Sequence, residues 1–147
     1  MDPMRFYETS TRIDADPQTV WTVLTDLEGY TSWDSGIVET TGAIGAGAKI
    51  AIRSAVDPRR TFRLRVTELE RPTTMCWTGG APLRLFTGRR TFRLRPLSDG
   101  TATEFRMREE FTGPLVPLIW RSMPDLQPSF DRFAAGLRTR AEAARAS

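Results

Sequence analysis

The stretch Arg89-Arg-Thr-Phe-Arg-Leu-Arg-Pro-Leu-Ser-Asp-Gly-Thr-Ala-Thr-Glu-Phe-Arg-Met-Arg-Glu-Glu-Phe111 decides how this chain is built. Asp99-Gly100 is a hairpin signal, because a two-residue turn that matches strand twist needs positive φ at both central positions. Apolar and polar residues alternate on either side of it, the period of a half-buried strand. Phe92 and Leu94 share one face of the first arm, with Arg93 and Arg95 opposite; Phe105, Met107 and Phe111 share one face of the second. With Asp99 and Gly100 at the centre of the turn, Ser98 opposes Thr101. Pairing then sets Leu94 against Phe105, Phe92 against Met107 and Arg90 against Glu109. The same parity puts Arg90 and Glu109 on the apolar face. Burying either charge alone costs several kcal/mol, so the two are expected to pair.

Outward from this hairpin the chain continues in kind. Residues 5–13 read as a strand, and further strands are expected at 36–41, 48–55, 60–70 and 73–79, with the hairpin arms at 85–96 and 101–111. Phe62, Leu64 and Val66 are the apolar set of strand 60–70, and Phe86 falls with that of 85–96. Arg-Arg-Thr-Phe-Arg-Leu-Arg occurs at 59–65 and again at 89–95, too short a repeat for a solenoid and consistent with two strands meeting one demand. Asp16 can cap a helix with Pro17 at its first position, followed by Val20, Trp21, Val23, Leu24 and Leu27 at helical spacing and stopped by Gly29. After Gly113 an apolar stripe from Leu115 through Leu118, Met123, Leu126, Phe130, Phe133 and Leu137 predicts a long amphipathic helix. Pro124 breaks or kinks it, Asp125 caps the second segment, and the tail from Arg138 is expected to fray. No linker interrupts the order, which predicts one α+β domain over residues 1–147.

Composition excludes several chemistries. The 147 residues include no histidine and one cysteine, Cys76. A Ser-His-Asp triad, a Cys-His pair, a His/Cys zinc site and an intramolecular disulfide are therefore ruled out within the chain. Cys76, between Met75 and Trp77, is expected on the outer face or at a seam, with nothing beside it to activate the thiol. Glu109 and Glu110 point to opposite faces of a strand, so a carboxylate metal site is not expected, and no cofactor is implied. Glycines 42, 45 and 47 ahead of Lys49 lack the Gly-Lys-Ser/Thr ending of a phosphate loop.

The first eight residues lack the apolar core of a secretory leader, and Pro114–Trp120 is too short to span a bilayer, so the expectation is cytoplasmic. The net charge of +3 combines 21 basic with 18 acidic residues. Their even spread and the absence of interleaved aromatics argue against nucleic acid. The outward arginines Arg63, Arg65, Arg93, Arg106 and Arg108 form a face suited to weak contact with an anionic membrane. On that face only Arg95 with Glu104 and Arg89 with Glu110 are expected to be neutralised.

Three segments carry a family resemblance: Ile13-Asp-Ala-Asp-Pro-Gln-Thr-Val-Trp21 with Leu24-Thr-Asp-Leu-Glu-Gly-Tyr-Thr-Ser-Trp33, then Phe92–Gly100, then Arg108-Glu-Glu-Phe-Thr-Gly-Pro-Leu115. In this order they resemble the START-like helix-grip superfamily (SRPBCC), in its polyketide cyclase/dehydrase and lipid-transport branch. The resemblance covers essentially the whole chain. It implies a curved antiparallel sheet of about seven strands wrapped on a long C-terminal helix, with one or two short helices after the first strand. It also implies an apolar cavity between sheet and helix. The break at Met123-Pro124 departs from the family's usual continuous helix.

The expected ligand-binding set is the pair Arg90 and Glu109 with apolar walls from Phe62, Leu64, Phe92, Phe105, Met107, Trp77 and Phe130, and Trp33 and Trp120 nearest the mouth. Tyr7, Tyr30 and Asp34 are the other polar candidates near the rim. Arginine does not deprotonate in proteins, so Arg90 can anchor a ligand or stabilise negative charge but cannot transfer a proton. No catalytic residue is assigned. The reading favours binding or carriage of a small to mid-sized hydrophobic ligand, lipid-, polyketide- or isoprenoid-like. The alternative is a metal-free polyketide aromatase/cyclase using Arg90; the third is a protein-interaction module.

Overall fold

A computed structural model describes residues 4–146. Seven strands and three α-helices occur in the order expected: β1 (Arg5–Ile13), α1 (Pro17–Thr25), β2 (Ile37–Thr41), β3 (Lys49–Ser54), β4 (Asp57–Glu70), β5 (Thr74–Gly80), β6 (Thr87–Leu97), β7 (Ala102–Thr112), then α2 (Val116–Ser122) and α3 (Gln127–Ala146) as the two pieces of the C-terminal helix. The strands form one antiparallel sheet in the order β1-β7-β6-β5-β4-β3-β2. Strand β1 crosses to pair with β7, so the first and last strands lie side by side and the sheet curls around α3.

Local chemistry explains the element ends. Asp16 caps α1, its carboxylate accepting from the Thr19 amide and hydroxyl, and Pro17 occupies the first turn. Asp99 and Gly100 both have positive φ, 58° and 86°, and Thr101 N–H closes the turn on the Ser98 carbonyl. These are the two positive φ values of the expected hairpin turn, but Ser98 is left-handed as well, at φ 51°, and strand pairing ends at Leu97 with Ala102 rather than at Ser98 with Thr101. The resulting register pairs Leu94 with Phe105, Phe92 with Met107 and Arg90 with Glu109. At Pro124 the helix stops: α2 ends at Ser122, Met123 is extended, and Asp125 Oδ1 accepts from the Gln127 amide to start α3. The core lies between the concave sheet face, α1 and α3. It holds Trp21, Leu24, Trp77, Phe92, Phe105, Met107, Phe130, Phe133 and Leu137.

Three expectations need correction. Strand β6 begins at Thr87, because residues 82–86 form a turn in which Leu83 and Arg84 adopt left-handed φ; Phe86 precedes the strand. Strand β4 begins at Asp57, three residues early, paired with the end of β3. The tail is helical through Ala146, since Ala141 is buried and Arg145 Nη1 donates to the Asp14 carbonyl.

Candidate functional site

Strands β6 and β7 bring Arg90 and Glu109 together on the concave face. Arg90 Nε donates to Glu109 Oε1 at 2.6 Å, with the two side chains 18% and 15% exposed. The guanidinium lies 4.8 Å from the centre of the Phe130 ring, a cation–π contact across the grip. Its terminal amino groups make no hydrogen bond among the described residues. On the next strand, Trp77 is the cross-strand partner of Arg90, and its indole N–H is buried without a hydrogen-bond partner. The pair and its surroundings thus hold unused donors in a sparsely solvated place, where hydrogen bonds to an acceptor are strongest.

Two glycines shape this end of the concave face. Gly79 and Gly88 are cross-strand partners. A Cβ at Gly88 would stand 3.0 Å from Glu109 Oε2, and one at Gly79 would stand 2.7 Å from Leu64 Cδ2 and 2.8 Å from the Arg63 carbonyl. Side chains there would push Glu109 away from Arg90 and Leu64 off the sheet. The side-chain-free notch is what lets the charged pair and Leu64 settle inward.

Burial grades along the face. Phe62, Leu64, Trp33 and Trp120 are half-buried, whereas Phe92, Phe105, Met107, Trp77 and Phe130 are buried. Ring contacts fill the deep part: Trp77 packs on Phe92 at 4.7 Å, and Phe92 and Phe105 meet Phe133 at 6.1 and 6.2 Å. Side chains this fully covered adjoin no water-sized space, so the apolar cavity expected between sheet and helix is filled where these rings meet. Nearer the open end, Trp120 of α2 stacks on Tyr7 at 5.1 Å, and Trp33 lies 5.3 Å from both Tyr30 and Phe133.

Among the rim candidates, Tyr7 sits between Trp120 and Phe130. Tyr30 is not at the rim: it is fully buried, its hydroxyl donates to the Leu24 carbonyl, and burial pushes its ionisation far above the ordinary tyrosine range. Asp34 is engaged at the surface, accepting from Arg132 at 2.7 Å. Phe133 is the main residue that sequence reasoning left out of the site. It was visible as a member of the helical stripe, but nothing in the pattern says that it touches Tyr30, Trp33, Phe92 and Phe105 at once.

The outer face also departs from expectation. Arg89 bonds Glu68 at 3.3 Å rather than Glu110, because a register shift between Val66 and Glu68 brings that carboxylate across β5. Glu110 instead joins Glu8 around Arg108, so Arg108 is neutralised too, as is Arg95 by Glu104. Cys76 does lie on this face, but it is buried, with Glu68, Thr91 and Arg89 around its sulfur; the Arg89 amino group is 3.6 Å away, where no cation was expected. Among the described residues no three His, Cys, Asp or Glu side chains are grouped to hold a metal ion, and no helix is long and apolar enough to cross a membrane.

Residues 4–142 match the sequence profile of the family described as polyketide cyclase / dehydrase and lipid transport. The chain belongs to that family. No curated protein matches the sequence. Solved structures show where this member of the family sits among folds. It is similar to the Zhui aromatase/cyclase from Streptomyces sp. R1128, with a TM-score of 0.76 and 18% identity over 95% of this chain and 94% of that one. It is similar to a norcoclaurine synthase point mutant from Thalictrum flavum, solved with a transition-state analogue, with a TM-score of 0.73 and 12% identity over 98% of each chain. A START superfamily protein from Mycobacterium smegmatis follows with a TM-score of 0.69 and 14% identity over 95% and 98%. At these identities the likeness is one of fold: the family's curled sheet gripping a C-terminal helix.

Proposed function

We propose that the protein binds a small to mid-sized apolar molecule bearing a carbonyl, hydroxyl or carboxylate, at the open end of the grip. The observation that carries this reading is the inward Arg90–Glu109 pair, whose guanidinium keeps unused donors against the Phe130 ring. Ligand sites combine apolar walls with a few placed polar groups. In this reading Arg90 and Glu109 hold the polar end of the ligand, and Phe62, Leu64, Trp33 and Trp120 meet its apolar body. The buried Phe92, Phe105, Met107, Trp77 and Phe130 form the wall behind.

The pairing favours binding: Glu109 is committed to Arg90, and Arg90 cannot release a proton. A second reading, turnover of a polyketide-like substrate, draws on the same unused donors, which could stabilise a developing oxyanion. The similar fold of an aromatase/cyclase supports keeping it.

The test is native mass spectrometry of the purified protein, followed by titration with the apolar sulfonate dye anilinonaphthalene sulfonate. A retained mass released on denaturation, and dye affinity lowered about ten-fold or more in Arg90→Gln, are the expected results. Equal dye binding by wild type and variant would remove Arg90 from the site. Turnover of an identified ligand, lost in Arg90→Gln while binding persists, would establish the second reading.

A further inference from the structure

Five of the seven large apolar side chains that stand exposed among the described residues, namely Met4, Phe6, Leu83, Leu85 and Leu118, belong to segments that meet at one end of the molecule. The register fixes that end: Arg5 pairs with Phe111, Thr87 with Thr112, and the Leu85 carbonyl accepts from the Leu115 amide at 3.0 Å. It is the end where the Gly79–Gly88 notch and the Arg90–Glu109 pair open. Leu83 is 90% exposed at the tip of the 82–86 turn, and Leu118 is 65% exposed on α2. The backbone of Leu83 and Arg84 is left-handed, at φ 60° and 57°, a conformation L-residues hold only when their surroundings impose it. Here it presents a leucine to water.

Arg84 and Arg121, flanking the leucines, make no ion pair among the described residues. Arg63, Arg65, Arg93 and Arg106 on the sheet face make none either, but no exposed leucine stands beside them. Next to Arg84 the outer face sinks into a depression of about 580 Å³, lined by Arg84, Arg89 and the threonines 67, 78, 87 and 112. Guanidinium and hydroxyl donors in that arrangement suit a phosphate.

We propose that this end docks on an anionic lipid bilayer: Leu83, Leu85 and Leu118 enter the interface, Arg84 and Arg121 meet the headgroups, and one lipid phosphate occupies the depression. Leu83 and Leu118 stand on separate elements, the 82–86 turn and α2, each with an unpaired arginine, Arg84 or Arg121, on the same element. Leucines flanked by unpaired arginines match the layering of a bilayer interface, apolar below and anionic above. Docking here sets the open end of the grip against the membrane. It replaces the arginine face of the sheet as the contact, and it stands whatever the grip binds.

The test is flotation with phosphatidylcholine vesicles, with and without phosphatidylglycerol. Wild type floats with the anionic vesicles alone. Leu83→Ser/Leu118→Ser lowers partitioning about ten-fold or more, and Arg84→Gln/Arg121→Gln lowers it about five-fold per charge removed. Arg63→Gln/Arg93→Gln on the sheet face leaves it unchanged. All six positions are exposed, so these variants keep the fold. Absence of flotation overturns the proposal, as does flotation lost in the sheet-face variant but kept in the leucine variant. A lipid-free dimer dispersed by the leucine substitutions also overturns it, by showing a second copy of the chain as the occupant.

Discussion

Truncating Glu109 to alanine leaves the Arg90 guanidinium against Phe130 with no counter-charge, in a place where its side chain is only 18% exposed. Fully buried pairs lose about 3–5 kcal/mol when one partner is removed. The residual wetting here puts the expected loss at about 2 kcal/mol in chemical denaturation. Replacing both partners by apolar residues, Arg90→Met with Glu109→Leu, should restore stability to within about 1 kcal/mol of wild type while abolishing dye binding. If the double replacement stays as unstable as Glu109→Ala, the pair is structural. Gly136 is a sharper residue-scale case. An alanine in a helix normally gains about 1 kcal/mol over glycine, but a Cβ at Gly136 would stand far inside contact distance of the Asp34 carbonyl. Gly136→Ala should therefore destabilise by roughly 1–3 kcal/mol, the range for overpacking, measured by urea midpoint. Arg90 and Glu109 were legible in the sequence because strand parity is strict. Gly136 was not, because the residue it must clear lies a hundred positions away, in a loop whose path no local pattern encodes.

Turn and cap chemistry set what was legible at the scale of elements. The register of β6 on β7 followed from Asp99-Gly100, since few other dipeptides tolerate positive φ twice. Helix α1 followed from Asp16-Pro17, and the α2–α3 break from Pro124. The 82–86 turn was missed because it reaches left-handed φ at Leu83 and Arg84, neither a residue type that signals it. Its shape is imposed from outside: the turn carbonyls at 84 and 85 crowd the backbone of Gly113, which itself has a φ of 112°. Gly113→Ala should thus loosen the turn and α2 together, lowering stability and raising proteolytic cleavage at Arg84, measurable by limited trypsin digestion. Unchanged cleavage would mean that the turn holds its own shape.

The whole molecule has no histidine, so none of the usual titration between pH 5 and 8 bears on folding. Acid is different. The Thr19 hydroxyl holds the Asp16 carboxyl below the ordinary aspartate range, and Arg95 does the same for Glu104. A carboxyl whose folded pKa is depressed stabilises the fold above its unfolded value and loses that contribution as pH falls through the folded one. Urea midpoints should be flat from about pH 8 to 5.5 and decline below about pH 4. Asp16→Asn, which keeps a cap, should make that decline shallower without moving the plateau. The covered sulfur of Cys76 gives the intact protein a clock of its own. The Arg89 and Glu68 side chains that cover the chain's one thiol are themselves 57% and 39% exposed, so a labelling reagent reaches the sulfur when this ion pair swings aside. The rate at which native protein is labelled therefore times the opening of that pair, with no engineered probe. Added salt, which weakens an exposed pair, should quicken that clock.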